Sequence, residues 1–211
     1  MNMNNMRWLR LLAPYFAVGI FWVGFPHAWL AILVYHAQII LWHRLKWWVR
    51  SSKRENGKKC YNARTEPVCG RVACYLSLVS LLAGPLVYWI IPRVVLVDLV
   101  LWLEHYRMSG HAFFWMIPYF GVLHPILEQL HWHRLRCETD WAHVFFAGYH
   151  VVVLSSLLPV GWLIFCFMGL LGISWMWGQA GGSLRSRVLC SCSHIAADLG
   201  MILAVFLLVH R

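Results

Sequence analysis

Three short stretches hold most of the residues in this chain that can do chemistry. His124-Pro-Ile-Leu-Glu128-Gln129-Leu-His131-Trp132-His133-Arg134 puts one carboxylate and three imidazoles at the end of an apolar segment. His124, Glu128 and His131 stand at i, i+4 and i+7, which is one face of a helix. Phe146-Ala-Gly-Tyr-His150 and His194-Ile-Ala-Ala-Asp198 each set two marked residues four apart. Withdrawal from water makes a carboxylate hold a proton more tightly, so Glu128 facing a histidine such as His150 can activate a water. His194 with Asp198 can donate hydrogen bonds to the oxyanion formed when that water attacks a carbonyl, provided Asp198 is protonated or orients His194 as the donor. This set of parts suits peptide-bond hydrolysis inside a membrane. A metal-free route is expected over a metal-dependent one, because HExxH is absent. No cofactor is expected.

The elements that must position these groups are greasy. The chain of 211 residues is 61% hydrophobic and 12% charged, with 14 tryptophans. Those fractions read as a polytopic membrane protein, an all-α bundle of helices. Net charge is +10, and between His43 and Arg71 nine Lys/Arg face only Glu55 and Glu66. A basic run between membrane spans points to cytoplasmic orientation and contact with anionic lipid rather than nucleic acid. The seven cysteines form no CxxC pair and are read as reduced structural thiols. Arg7 and Arg10 precede an apolar run, but Phe25-Pro26-His27-Ala28-Trp29 offers no small-x-small cleavage site, so the segment is kept as mature.

Residues 11–42 are apolar, with an interruption at Gly24-Phe25-Pro26. One helix of that length would reach roughly 48 Å, too long for a hydrocarbon core of ~30 Å. A hairpin of 11–25 and 27–42 is expected instead, which leaves the basic flanks on one side. Further spans are expected at 73–91, 111–133, 142–158, 160–178 and 188–209, seven in all. Residues 94–107 read as an interfacial helix, where Asp98 is expected to be a solvated or lipid-interface carboxylate. Pro118 and Pro125 should kink the span that carries Glu128. Counting from the flanking charges, Glu128 lies roughly 9 Å deep, His194 about 10 Å and His150 about 15 Å, all in the same half of the bilayer. The chain divides into an N-terminal hairpin with basic loop (1–72), a span plus interfacial helix (73–110) and a core carrying the motifs (111–211).

From Pro125 onward these motifs resemble the CPBP family of glutamic-type intramembrane endopeptidases, which includes the type II CAAX prenyl endopeptidases and the Abi proteins. That family carries EExxxR, FxxxH and Hxxx(D/N) in this order, and Glu128-Gln129, Phe146 to His150 and His194 to Asp198 follow it. The resemblance covers about residues 111–207. It implies that Glu128 and His150 activate the water and that His194 and Asp198 form the oxyanion site. It also implies a multi-pass protein of the bacterial inner membrane acting on a membrane-associated protein or peptide. Two departures stand out: Gln129 replaces the second glutamate and His133 the arginine. They are expected to form a neutral brace where the family has an ion pair, since losing both charges strands neither.

Two readings compete with the protease. One is a catalytically inactive protein on the same scaffold, acting as a binding, chaperone or immunity factor. The other is a histidine-ligated haem or metal protein, which His27, His36 and His43 permit. A rhomboid-like serine protease is weaker, since Gly172-Ile-Ser174-Trp175 lacks the glycine after serine. For His36, His105, His111, His124 and His143 a structural role is favoured. His131 and His133 point about 200° apart on a helix, which disfavours a joint metal site.

Overall fold

The structure is a computed structural model, described here for residues 3–52, 74–180 and 184–211. Among the described residues the chain is all-helical, with no strand. The helices are α1 (Met3–Val18), α2 (Ala28–Ser52), α3 (Cys74–Val94), α4 (Leu99–His105), α5 (Gly110–Pro118), α6 (His124–Glu138), α7 (Trp141–Leu154), α8 (Val160–Gln179) and α9 (Leu184–Val209). Helices α3, α8 and α9 are long and apolar enough to cross a membrane, and α7 is a shorter apolar helix. The basic run 45–71 lies outside the residues whose side chains are described.

The packing inverts that of a water-soluble domain. Leu78, Trp89, Phe165 and Trp175 are exposed, whereas Glu128, Ser174, Ser193, His194 and Asp198 are buried. An apolar exterior with polar side chains turned into the packed interior, among Trp132, Leu135 and Phe146, is what a lipid solvent selects, because unpaired polar groups cost several kcal/mol each in hydrocarbon.

Breaks fall where the sequence weakens the helix. The chain leaves α1 through a π-helical turn, Gly19–Gly24, and breaks at Phe25-Pro26-His27. Proline there lacks the N–H that would continue the ladder, and His27 Nδ1 accepts from the Leu30 amide at the start of α2. Between Pro118 and Pro125 the backbone widens into a second π turn, Tyr119–Leu123, so α5 and α6 form one bent rod. The expected kink takes this form, which re-aims side chains at a helix interior.

Asp98 serves as the N-cap of α4. Its Oδ1 accepts from the amides of Val100 and Leu101 at 2.9 and 3.0 Å, satisfying two of the four orphan donors of a helix start.

Two ends of the bundle are tied across the chain. At one, Arg10 pairs with Glu138 at 2.8 Å, and Arg134, one turn before Glu138 on α6, pairs with the same carboxylate at 3.0 Å. At the other, the Ala28 amide donates to Tyr106 O and the Leu96 amide to Leu157 O. α3 and α9 cross at Gly84 and Gly200, where a Cβ on Gly84 would sit 2.8 Å from Gly200 O.

The cysteines depart from expectation at one position. Cys74, Cys166, Cys190 and Cys192 are free, but Cys137 is disulfide-bonded. It sits in the last turn of α6, beyond the apolar segment that motivated the reduced-thiol reading.

Candidate functional site

The three stretches that opened the sequence reading meet inside the bundle. Glu128 on α6 is fully buried. Its Oε1 accepts from Tyr35 of α2 at 3.1 Å and from Tyr149 of α7. Its Oε2 has no hydrogen-bond partner, but lies 3.6 Å from His124 Nε2 and 3.5 Å from His194 Nε2. His194 Nε2 is also 3.5 Å from Asp198 Oδ2, which likewise has no partner. One ring nitrogen of α9 therefore stands between two carboxyl groups.

The protonation of that ring follows from its neighbours. Arg136 can only donate, and its Nη1 lies 3.0 Å from Gln129 Oε1. The amide oxygen of Gln129 is thereby assigned to the arginine, leaving its NH₂ to face His194 Nδ1 at 3.4 Å. Nδ1 then accepts, so in the neutral ring the proton is on Nε2, between Glu128 and Asp198.

His150 does not touch Glu128 directly. Its Nδ1 donates to Phe146 O at 2.8 Å, so Nε2 is the free acceptor of the neutral ring. That Nε2 is 3.1 Å from the Tyr149 hydroxyl, which also contacts Glu128. A phenol is interposed between the two residues expected to share one water. Phe146 is buried as a spacer, with ring contacts to His150 at 4.7 Å and His194 at 6.2 Å.

Gln129 and His133 do not form the brace expected of them. Gln129 reaches Arg136 and His194 instead, while the Cys137 sulfur lies 3.3 Å from the His133 carbonyl oxygen. The reason is reach: α6 continues through Glu138, which brings Arg136 inward two turns below Gln129. The Arg136 guanidinium lies 5.2 Å from both the Phe146 and Trp177 ring centroids, and its Nε donates to Ser174 at 3.0 Å. Aromatic faces and neutral oxygens hold this buried cation. Ser174 is also 3.0 Å from His143 Nδ1 and is fully buried.

Sequence reasoning missed Tyr35, Tyr149 and Arg136, and read His36 as structural. Tyr35 is buried, and its hydroxyl receives Trp132 Nε1 at 2.8 Å. His36 joins His124 at 3.0 Å and Tyr119 at 2.8 Å. The only early signals were that Tyr149 precedes His150 and that Tyr35-His36 interrupts an apolar span. His131 is used elsewhere, its Nε2 3.1 Å from the Arg10 carbonyl. Tyr35 and His36 come from the N-terminal hairpin, so the polar cluster is not confined to 111–211.

Among the described residues these features define an all-helical protein with three helices long and apolar enough to cross a membrane and a buried carboxyl–imidazole–phenol cluster. No family model, curated protein or solved structure matches the chain.

Proposed function

We propose that the chain is a multi-pass intramembrane endopeptidase of the glutamic type, cleaving a peptide bond of a membrane-associated protein or peptide. The observation that carries this reading is His194 Nε2 standing 3.5 Å from both Glu128 Oε2 and Asp198 Oδ2. Motifs distant in sequence thereby supply a base and a donor at one point. The resemblance to CPBP proteins gives the same division of roles. Seven spans and a placement in the inner membrane belong to this proposal.

Glu128 Oε2 takes a proton from water as the water oxygen bonds to the scissile carbonyl carbon. The carbonyl oxygen becomes an oxyanion and accepts a hydrogen bond from His194 Nε2–H, with protonated Asp198 beside it as a second donor. Collapse of the intermediate breaks the C–N bond, and the proton held by Glu128 passes to the leaving amine. His150 acts through Tyr149, whose hydroxyl reorients between Nε2 and Oε1.

One observation favours the non-catalytic alternative. Glu128 has no exposed surface, and two phenols cover one of its oxygens. A carboxylate sealed in this way also braces three helices without any turnover. Comparison of membrane proteomes from cells carrying wild type and Glu128→Gln separates the two. A precursor that accumulates only in the variant supports hydrolysis. Identical proteomes, with the variant folded and inserted, support the brace.

A further inference from the structure

Tyr119, His36, His124 and Glu128 form a line of groups that can each give and take a proton. Tyr119 Oη is 2.8 Å from His36 Nδ1, and His36 Nε2 is 3.0 Å from His124 Nδ1. His124 Nε2 is 3.6 Å from Glu128 Oε2, just beyond hydrogen-bond reach. The two imidazoles meet nitrogen to nitrogen, with rings 5.2 Å apart. Phe120 stacks on His124 at 5.0 Å and Tyr119 on His36 at 5.4 Å, which holds both rings in register. The π turn between Pro118 and Pro125 carries Tyr119 and Phe120 and delivers His124 at its end.

We infer that this line is a proton relay that loads and unloads Glu128 from the Tyr119 end, with water as the exchanging acid and base there. Two polarities close it. In one, Tyr119 O–H donates to His36 Nδ1, His36 Nε2–H to His124 Nδ1, and His124 Nε2–H points at ionised Glu128. Once the His124 and Glu128 side chains close the last 3.6 Å gap to hydrogen-bond reach, a concerted shift moves one proton along each link. Glu128 gains a proton, the Tyr119 oxygen loses one and regains it from water, and both histidines end neutral in the other tautomer. In the reverse polarity each step runs backwards. Neutral imidazole suits this because one nitrogen accepts while the other donates. Tyr119 is only half-buried, whereas His36 and His124 are buried, so exchange begins at the phenol.

Other groups face Glu128: Tyr35 from α2, Tyr149 from α7, His194 and Asp198 from α9. Tyr35 and Tyr149 offer hydroxyls to Oε1, leaving Oε2 to the relay and to His194. Arg136 on the same helix is turned to Gln129 and Ser174.

The inference concerns protons on Glu128 and stands or falls apart from the protease reading, since its readout is not product. The full chain in liposomes is subjected to a pH jump, and the protonated-carboxyl band of Glu128 is followed by time-resolved infrared spectroscopy. Glu128→Gln identifies the band by its loss. His36→Phe and Tyr119→Phe should slow the appearance of the band by ~100-fold, as loss of a positioned proton donor does, with its final amplitude unchanged. A purely packing role would alter amplitude and leave the rate alone. Slowing by less than about tenfold in Tyr119→Phe, which removes one hydroxyl, would overturn the relay. A wild-type Glu128 band that ignores the jump would overturn it as well.

Discussion

Gln129 accepts a hydrogen bond from Arg136 at 3.0 Å, across two turns of one helix. No acidic side chain pairs with this guanidinium in the described contacts, and its Nη2 has no partner. Gln129→Glu would set a carboxylate against it. The single change should therefore keep folded yield in detergent, without a compensating change at His133. Arg136→Met removes the donor to Gln129 Oε1 and to Ser174 Oγ and should cost about 1–3 kcal/mol. Thermal unfolding of the two variants measures this. A double variant whose destabilisation is the sum of the two single ones would show that Gln129 and Arg136 are not coupled.

The same pair shows where the sequence was legible and where it was not. Glu128, His194 and Asp198 were readable because i, i+4 spacing and isolation in apolar helices mark polar residues that must turn inward. Breaks near Pro26 and between Pro118 and Pro125 were readable because proline removes a backbone donor. Arg136 was not, because arginines at a span end read as loop charges, and only the packed faces of Phe146 and Trp177 make a buried site for one. Tyr35 and His36 were not, since the register of α2 against α6 depends on packing between helices far apart in sequence. The sequence could show which residues dislike lipid. It could not show which of them would meet.

α3 and α9 come into backbone contact at Gly84, where a Cβ would lie 2.8 Å from Gly200 O and 3.0 Å from its Cα. Backbone, unlike a side chain end, cannot step aside. Gly84→Ala should push the helices apart and cost about 1–3 kcal/mol, the usual range for overpacking. Small-residue contacts of this kind bring membrane helices together. A shift in detergent unfolding is the measurement, and Gly161→Ala, with open space around it, is the control that should not move.

Cys137 is disulfide-bonded beside Arg134 and Arg136, at the end of the bundle that the positive-inside rule assigns to the cytoplasm. Disulfides belong mainly to oxidising compartments. The two rules disagree here, and the charge rule carries more weight because it sums Arg7, Arg10, Arg134 and Arg185 rather than one bond. Thiol labelling of intact cells tests both. Cys192, in the first turns of α9 on the same end, should be shielded from an impermeant reagent added outside. Cys137 should label only after lysis and reduction. Labelling of Cys192 from outside would invert the topology.

Tyr149 separates Glu128 from His150, and that placement reshapes the catalytic test. Under the proposed chemistry the three act as one unit, so their losses should not add. Glu128→Gln, His150→Ala and the double variant should all show the same low turnover of the accumulating precursor. Tyr149→Phe breaks the link between Glu128 and His150, so it should fall to the level of His150→Ala. His194→Ala removes one oxyanion donor and should lose about 100- to 1,000-fold. Activity should survive both EDTA and serine-directed reagents, since neither a metal nor Ser174 enters the chemistry. Product formation in liposomes checks each variant. A Tyr149→Phe protein as active as wild type would remove His150 from the reaction and leave Glu128 and His194 to carry it. Full activity in Glu128→Gln would end the protease reading, leaving the cluster as a brace that holds α2, α6, α7 and α9 together through its hydrogen bonds.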